Sequence, residues 1–218
     1  MRKFLKYVLT LSFLFMLCSC GLNYKTETKD GKTVYNIENK KYIESDKETN
    51  LIKIDVKDKG IIVAELYPDI APITVENFKK LVNDKFYDGL IFHRIIKDFM
   101  IQTGDPLGTG IGGSDENIKG EFSENGIENN LSHTRGVLSM ARRGDDTETE
   151  ETMNSASSQF FIVHKDSIYL DGKYAAFGKV INGMSVVDDL AISQTDENDK
   201  PLSDKVITSI RFVSLLGE

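Results

Sequence analysis

Two polar side chains that could do chemistry, Arg94 and Gln102, lie among the apolar residues of the segment 92–105, "FHRIIKDFMIQTGD". Arg94 carries a permanently charged guanidinium that only donates hydrogen bonds, and Gln102 carries a carboxamide that donates and accepts. Because burying an unpaired charge is costly, we expect one face of the run to pack into the core while the other forms an apolar groove around these two groups. The alternative for Arg94 is an ion pair with a surface carboxylate.

The other reactive residue types lack the spacing that their chemistry needs. His93, His133 and His164 show no metal-ligand spacing. Ser139 and Ser158 lack the G-x-S-x-G elbow of a hydrolase, and the sequence shows no base paired with them. The sequence therefore predicts no metal site, no hydrolytic triad and no cofactor.

Two further motifs match ligand-binding patterns only in part. Gly108, Gly110 and Gly113 spell G-x-G-x-x-G, but no helical period follows that would place a helix N-terminus against a phosphate, so we predict a flexible turn. The acidic segment at 142–152, "RRGDDTETEET", lacks the ligand order of a calcium loop. We expect it to be a solvated loop that shapes access to the groove.

Hydrophobic periodicity predicts the elements that must position these residues. Apolar and polar residues alternate over 51–57, and a second apolar run follows a turn at Gly60, which indicates a β-hairpin. Apolar residues recur at three- and four-residue spacing over 75–86, which predicts a helix capped by Thr74. A second, shorter helix is predicted at 185–192.

Six further strands are predicted at 91–96, 99–103, 136–140, 159–164, 175–181 and 206–215. Together with the hairpin, they give a mainly β chain of eight strands and two helices, with many turns marked by glycine. This pattern predicts a closed eight-stranded antiparallel barrel capped by two helices, a fold that leaves no sheet edge exposed. Residues 50–218 are expected to form this domain.

The N-terminus has the composition of an export signal. Cations precede an apolar stretch at 7–17 that is too short to span a bilayer comfortably. The following "LCSC" resembles the lipobox of bacterial lipoproteins, which implies a signal peptide over 1–19 and a lipidated Cys20. Ordinary secretion is the alternative.

The rest of the composition limits the classes of partner. The chain has 218 residues, a formal net charge of −7 and only two cysteines, Cys18 and Cys20, both at the processing site. An acidic chain repels phosphate backbones, so nucleic acid is not expected as a partner. The polar residues 20–49 predict a solvated tether between membrane and domain, with a short strand at 34–37 as a minor alternative.

Four stretches, in this order, resemble the cyclophilins, the peptidyl-prolyl cis–trans isomerases: "FHRIIKDFMIQTGD", "HTRGVLSMAR", "NSASSQFFIVH" and "YLDGKYAAFGKVINGMSVVD". The resemblance covers about 51–216 and is strongest to the bacterial, short-looped branch. It implies a cyclophilin-like barrel with two helices, isomerase activity without a cofactor, and proline-containing polypeptides as substrates.

The same resemblance implies roles for individual residues. The catalytic arginine falls on Arg94, and the substrate-binding positions fall on Phe99, Met100, Gln102, Ala141, Phe161, Tyr169, Leu170 and Tyr174. Tyr169 stands where many members carry Trp, and Tyr174 where many carry His. Turnover should survive these changes, whereas binding of the inhibitor cyclosporin is put in doubt.

The sequence as a whole predicts a monomeric cyclophilin that is lipid-anchored on the extracytoplasmic side of the cell membrane and assists the folding of exported proteins. A cyclophilin-like module that binds peptides with little turnover is the alternative. The small single domain and the motif set disfavour a lipid-anchored solute-binding protein.

Overall fold

The computed structural model describes residues 22–29, 31–144 and 148–217, and it places eleven strands in one sheet. The strands are β1 (Tyr24–Lys29), β2 (Lys32–Ile37), β3 (Lys40–Glu44), β4 (Leu51–Val56), β5 (Gly60–Leu66), β6 (Arg94–Ile96), β7 (Met100–Thr103), β8 (Val137–Met140), β9 (Phe160–Val163), β10 (Ala176–Asn182) and β11 (Ile207–Leu215). The α-helices are α1 (Pro72–Asn83), α2 (Glu150–Met153) and α3 (Met184–Ala191), and short 3-10 turns span Ser123–Asn125 and Ile168–Leu170.

The strands pair antiparallel in the order β1-β2-β3-β11-β4-β5-β10-β8-β9-β7-β6. β4 to β11 correspond to the eight predicted strands, and α1 and α3 to the two predicted helices. Their positions are confirmed because alternating apolar residues form the strands and apolar residues at helical spacing form the helices.

The predicted closed barrel is not confirmed, since no ladder joins β6 to β11 in the described part of the chain. Isolated contacts bridge the gap instead. Ile91 forms a single bridge with Val206, the Phe92 N–H donates to the Lys205 carbonyl at 2.9 Å, and the Ile207 N–H donates to the Leu90 carbonyl at 2.8 Å. These contacts come from the short segment before β6 and from residues at or just before the start of β11, and they are too few to form a ladder.

The main core lies between the inner face of the sheet and the two longer helices. Phe78 of α1 sits at its centre, with its ring centroid 5.3 Å from that of Phe160 and 5.2 Å from that of Phe177. The β4 and β5 side chains alternate, so that Ile62 joins this core while Ile61 faces the opposite side of the sheet. A rigid packed core on one face leaves the other face of β6, β7 and β9 available for a site.

The prediction that Thr74 caps α1 is wrong, because the helix begins two residues earlier, at Pro72. Proline suits the first helical turn, where its missing N–H has no partner to lose. The buried Glu121 carboxylate accepts hydrogen bonds from the Ile73 N–H at 3.0 Å, the Thr74 N–H at 2.8 Å and the Thr74 hydroxyl at 2.7 Å. A residue distant in sequence therefore satisfies the free N–H groups that a local cap would have taken.

The predicted tether over 20–49 is wrong for residues 24–44, which form a meander of three strands, β1, β2 and β3. β3 pairs with β11 in the register Val213↔Glu44, so the meander extends the main sheet. The charged residues that suggested a tether lie on its exposed face. The buried face carries apolar residues that the polar composition concealed.

The buried face of the meander covers the outer face of the sheet. Val34, Ile37 and Tyr42 pack with Ile61, Val63 and Val213 into a separate apolar cluster. The predicted signal peptide and Cys20 lie outside the described residues. None of the helices in the described ranges is long and apolar enough to cross a membrane.

Candidate active site

Strand register brings three of the predicted site residues side by side. Arg94 of β6 pairs with Gln102 of β7, and Gln102 pairs with Phe161 of β9. Directly opposed residues in antiparallel strands share one face, so the three side chains form a row across the sheet. The intervening Ile95 and Ile101 point into the main core. This arrangement agrees with the two-faced packing expected from the apolar run.

A cavity of about 150 Å³ opens beside this row, and we call it the proline cavity after the role that the sequence predicts for it. Its lining residues are Arg94, Phe99, Met100, Gln102, Ala141, Arg142, Phe161, Leu170 and Tyr174. Every predicted site residue in the domain lines it except Tyr169, which is 62% exposed and lies outside with its ring 6.0 Å from that of Phe99. Arg142 is a lining residue that the sequence reasoning missed.

Arg94 both pairs with a carboxylate and lines the groove, which are the two arrangements that the sequence left open. Its Nε donates to Asp199 Oδ2 at 3.3 Å, and both side chains remain partly exposed, at 44% and 41%. Asp199 also accepts the Ile95 N–H through its backbone carbonyl at 2.8 Å. The ion pair therefore exists and uses Nε, while the guanidinium still lines the proline cavity and can donate there from its terminal nitrogens.

Gln102 is held by a second amide. Its Nε2 donates to Gln159 Oε1 at 2.8 Å, and Gln159 Nε2 donates to the carbonyls of Gly110 at 2.9 Å and Gly112 at 2.7 Å. This chain turns the carboxamide oxygen of Gln102 into an available acceptor for a ligand N–H. Gln159 was missed, although it lies immediately before β9 and two residues before Phe161, the spacing that places extended residues on one face.

The glycine-rich segment forms a turn, as predicted, and contains no helix. The Asp105 carboxylate organises it by accepting hydrogen bonds from the N–H groups of Leu107 at 2.7 Å, Thr109 at 2.9 Å and Gly110 at 2.5 Å. Burial alone would raise the pKa of Asp105, but these bonds favour the ionised form and lower the pKa overall. The turn thus presents the carbonyls that fix Gln159.

The structure corrects the prediction that no base is paired with Ser139. His133 Nε2 lies 2.9 Å from Ser139 Oγ, and His133 Nδ1 lies 2.8 Å from Asp171 Oδ1. Ser139 is fully buried, so the group supports packing and offers no accessible nucleophile. The His133 ring stacks on Phe161 at 6.2 Å, and burial lowers the pKa of His133 despite its Asp171 partner. A neutral histidine therefore supports the wall of the proline cavity.

The remaining histidines form no metal site. His93 is buried beside the glycine-rich turn, and burial lowers its pKa below the usual value. His164 accepts the Asp98 N–H at 3.0 Å and lies 3.2 Å from Asp188. Among the described residues, no group of three or more His, Cys, Asp or Glu side chains is placed to hold a metal ion.

A second, larger cavity of about 420 Å³ adjoins the first, and Gln102, Ala141 and Arg142 line both. The acidic segment borders it. The prediction of a solvated loop there is wrong in part, because the segment contains the one-turn helix α2, whose capping box joins the side chain of Thr149 to the N–H of Thr152 and the side chain of Thr152 to the N–H of Thr149. Arg142 and Arg143, at the start of this segment, line the larger cavity, so the segment contacts the site.

The chemistry that this arrangement suits is non-covalent. A charged donor and an amide acceptor share a cavity large enough for a small ring with aromatic and aliphatic side chains, and none of its lining residues is Ser, Thr or Cys. Such a site can hold an apolar ring and polarise an amide beside it.

Comparison with known proteins agrees with this geometry. The family described as "Cyclophilin type peptidyl-prolyl cis-trans isomerase/CLD" matches residues 51–212. The isomerase ppi1 of Schizosaccharomyces pombe is 43% identical over 153 residues, which cover 69% of this chain and 92% of the relative. The isomerase cypE of Dictyostelium discoideum is 47% identical over 146 residues, which cover 66% of this chain and 86% of the relative.

A solved structure is similar as well. The crystal structure of a cyclophilin-type isomerase of Cryptosporidium parvum, in the presence of the dipeptide Ala-Pro, has a TM-score of 0.66 and 32% identity, and the match covers 75% of this chain and 99% of that one. These three relatives are eukaryotic, so the bacterial lipoprotein form stays a prediction. The family match and the fold together show that this chain belongs to the cyclophilin-type peptidyl-prolyl cis–trans isomerases and is an enzyme of that type.

Proposed function

We propose that this enzyme accelerates rotation about X–Pro bonds in exported polypeptides as they fold outside the cytoplasm, and that lipidated Cys20 holds it at the membrane. The observation that carries the catalytic part is the row of Arg94, Gln102 and Phe161 across three paired strands beside the proline cavity. Each residue supplies one requirement of the reaction.

Arg94 supplies stabilisation of the twisted amide. The X–Pro bond rotates over a barrier of about 18–20 kcal/mol because resonance gives it double-bond character. At the transition state this resonance is lost, and the proline nitrogen regains a lone pair that can accept a hydrogen bond. An arginine donor favours this state over the planar amide, which is the condition for catalysis.

The apolar residues hold the ring while the preceding carbonyl rotates. Phe99, Met100, Phe161 and Leu170 form the apolar part of the lining. A proline ring seated against them would exclude water beside Arg94 and so strengthen its hydrogen bond. Gln102 can hold the substrate backbone in register. Lowering the barrier by about 5–7 kcal/mol would correspond to roughly 10⁴–10⁵-fold acceleration.

The substrate class is supported by the C. parvum relative, whose structure was obtained with a proline-containing dipeptide. The test is the isomerisation rate of a short X–Pro peptide in the presence of the full chain, followed without a coupled protease. We expect a rate well above the spontaneous one. A rate equal to the spontaneous one, with the peptide still bound, would favour the peptide-binding module instead.

The membrane part of the proposal rests on the N-terminal sequence pattern alone. A Cys20→Ser chain expressed in a bacterial host should lose incorporation of labelled fatty acid and move from the membrane fraction to the soluble fraction. The unmodified chain is the control. Equal labelling of the two chains would contradict lipidation at Cys20.

A further inference from the structure

Arg142 forms the wall between the two cavities of the site. Only 3% of its side-chain surface is exposed, although the segment that follows it is acidic and largely solvated. Its guanidinium carbon lies 4.8 Å from the ring centroid of Tyr174 and 5.2 Å from that of Phe122. A planar cation close to two aromatic rings is a favourable arrangement that a flexible ammonium could not reproduce.

Glu148 fixes this guanidinium from the acidic segment. Nη1 lies 2.8 Å from Glu148 Oε2, and Nη2 donates to Glu148 Oε1 at 2.9 Å, so the contact is bidentate. Nε donates to the Lys173 carbonyl at 3.0 Å. The hydrogen bonds from Arg142 lower the pKa of Glu148, so the carboxylate stays ionised near neutral pH. Every nitrogen of the guanidinium therefore has a defined partner.

These contacts continue to the proline cavity through Tyr174. Arg142 binds the backbone immediately before Tyr174 and also covers its ring. The Tyr174 ring also contacts the Phe161 ring, at a centroid distance of 6.0 Å and an interplanar angle of 81°. Because Tyr174 and Phe161 both line the proline cavity, a shift of Arg142 would change the width of the pocket.

We propose that Glu148 and Arg142 form a brace that positions Tyr174 against Phe161 and so sets the shape of the proline cavity. The inference rests on the proposed function, because it concerns the binding of the same substrate. Within the described part of the chain, Arg142 is the only residue lining the proline cavity that Glu148 contacts. Glu148 therefore acts as a positioning residue.

The acidic segment also offers a matched control. Arg143 pairs with Glu151 at 3.1 Å, in a mostly exposed contact. Of the two cavities, Arg143 lines only the larger one. Glu151→Gln therefore removes one carboxylate from the same segment without touching the Arg142 contact, and Glu148→Gln breaks the bidentate ion pair with the same change of charge.

The test compares the steady-state constants of the full chain, Glu148→Gln and Glu151→Gln on one X–Pro peptide. We expect Glu148→Gln to raise KM about three- to tenfold with kcat within about twofold of the parent, since the brace shapes the pocket and does not touch the reacting amide. Glu151→Gln should match the parent in both constants. Equal KM values for the two variants, or a loss confined to kcat, would overturn the brace.

A second variant keeps the inference testable if Glu148→Gln fails to fold. Arg142→Lys retains the charge but loses the planar stacking and the bidentate contact, so it should raise KM in the same way. An unchanged KM for this variant would contradict the brace. If instead the parent chain shows no turnover at all, the proposed function fails, which is a separate outcome from equal KM values in active chains.

Discussion

At the scale of single residues, the active site depends on partners that lie far away in sequence. Arg94 is held by Asp199, Gln102 by Gln159, and Phe161 by the His133 ring. The polar residues inside an apolar run were sufficient to predict where the groove lies. Their partners could not be predicted, because the pairing depends on how distant loops fold back onto the strands.

The Arg94–Asp199 ion pair should orient the guanidinium without contributing much to stability. Asp199 has a φ of +62°, which asparagine tolerates better than alanine, so Asp199→Asn removes the charge with little backbone strain. Because the pair is partly exposed, we expect kcat/KM to fall about two- to fivefold. Kinetics and thermal unfolding of the same samples check this. A loss of turnover that only parallels unfolding would contradict an orienting role.

Buried neutral histidines should make stability depend on pH. Burial lowers the pKa values of His133 and His93 from the unfolded value of 6.5. At a pH between the folded pKa of each histidine and 6.5, the unfolded chain therefore binds more protons than the folded chain. The stabilisation is fully present above pH 6.5 and is lost as the pH falls through the folded values. Urea unfolding from pH 7 to about pH 5 should show a falling free energy of unfolding. A His133→Gln chain should show a smaller slope, and an equal slope would contradict this account.

At the scale of elements, the register of β6, β7 and β9 places the site, and Phe78 of α1 packs against Phe160 of β9 in the main core. The strands and the two longer helices were predictable because each buries one face and shows it as a period in the sequence. The start of α1 was not predictable, because Glu121 reaches it from another part of the chain. The one-turn helix α2 was not predictable either, since so short a helix has no period.

Loss of the Glu121 carboxylate should destabilise the fold. Glu121→Ala leaves two backbone N–H groups and the buried Thr74 hydroxyl without their acceptor, and we expect a loss of about 2–3 kcal/mol in the free energy of unfolding. Urea denaturation measures it. Glu124→Ala, at an exposed position nearby, is the control and should stay within about 0.5 kcal/mol of the parent. Equal losses in both chains would refute the capping role.

At the scale of the whole molecule, the meander β1–β3 is part of the folded unit. Its charged face made residues 20–49 look like a tether, and the sparse buried positions at Val34, Ile37 and Tyr42 follow no period long enough to outweigh that impression. The Asn23 side chain adds two hydrogen bonds to the backbone of Ile61, at 2.8 and 2.9 Å. The composition of this segment reflects the solvent-exposed face of the meander, so it did not predict the buried face that packs on the sheet.

Deleting the meander should expose the outer apolar face of the sheet. A chain that begins at Thr49 uncovers Ile61, Val63 and Val213, so it should bind an apolar dye and unfold at a temperature lower by on the order of 5–10 °C. Differential scanning calorimetry and dye fluorescence measure both effects. Replacing Val63 and Val213 by threonine in the short chain should reduce dye binding. A short chain with the melting temperature of the parent would show that the meander is dispensable.

The central claim is that Arg94 stabilises the twisted amide, and its most direct test measures binding and turnover in one sample. NMR exchange spectroscopy of an X–Pro peptide gives the dissociation constant and the rate of isomerisation on the enzyme. For Arg94→Ala we predict a dissociation constant within a few-fold of the parent and a rate about 10²–10³-fold lower, the cost typical of removing one transition-state donor. A rate that falls only as far as binding weakens would contradict the claim, because Arg94 would then serve the ground state alone.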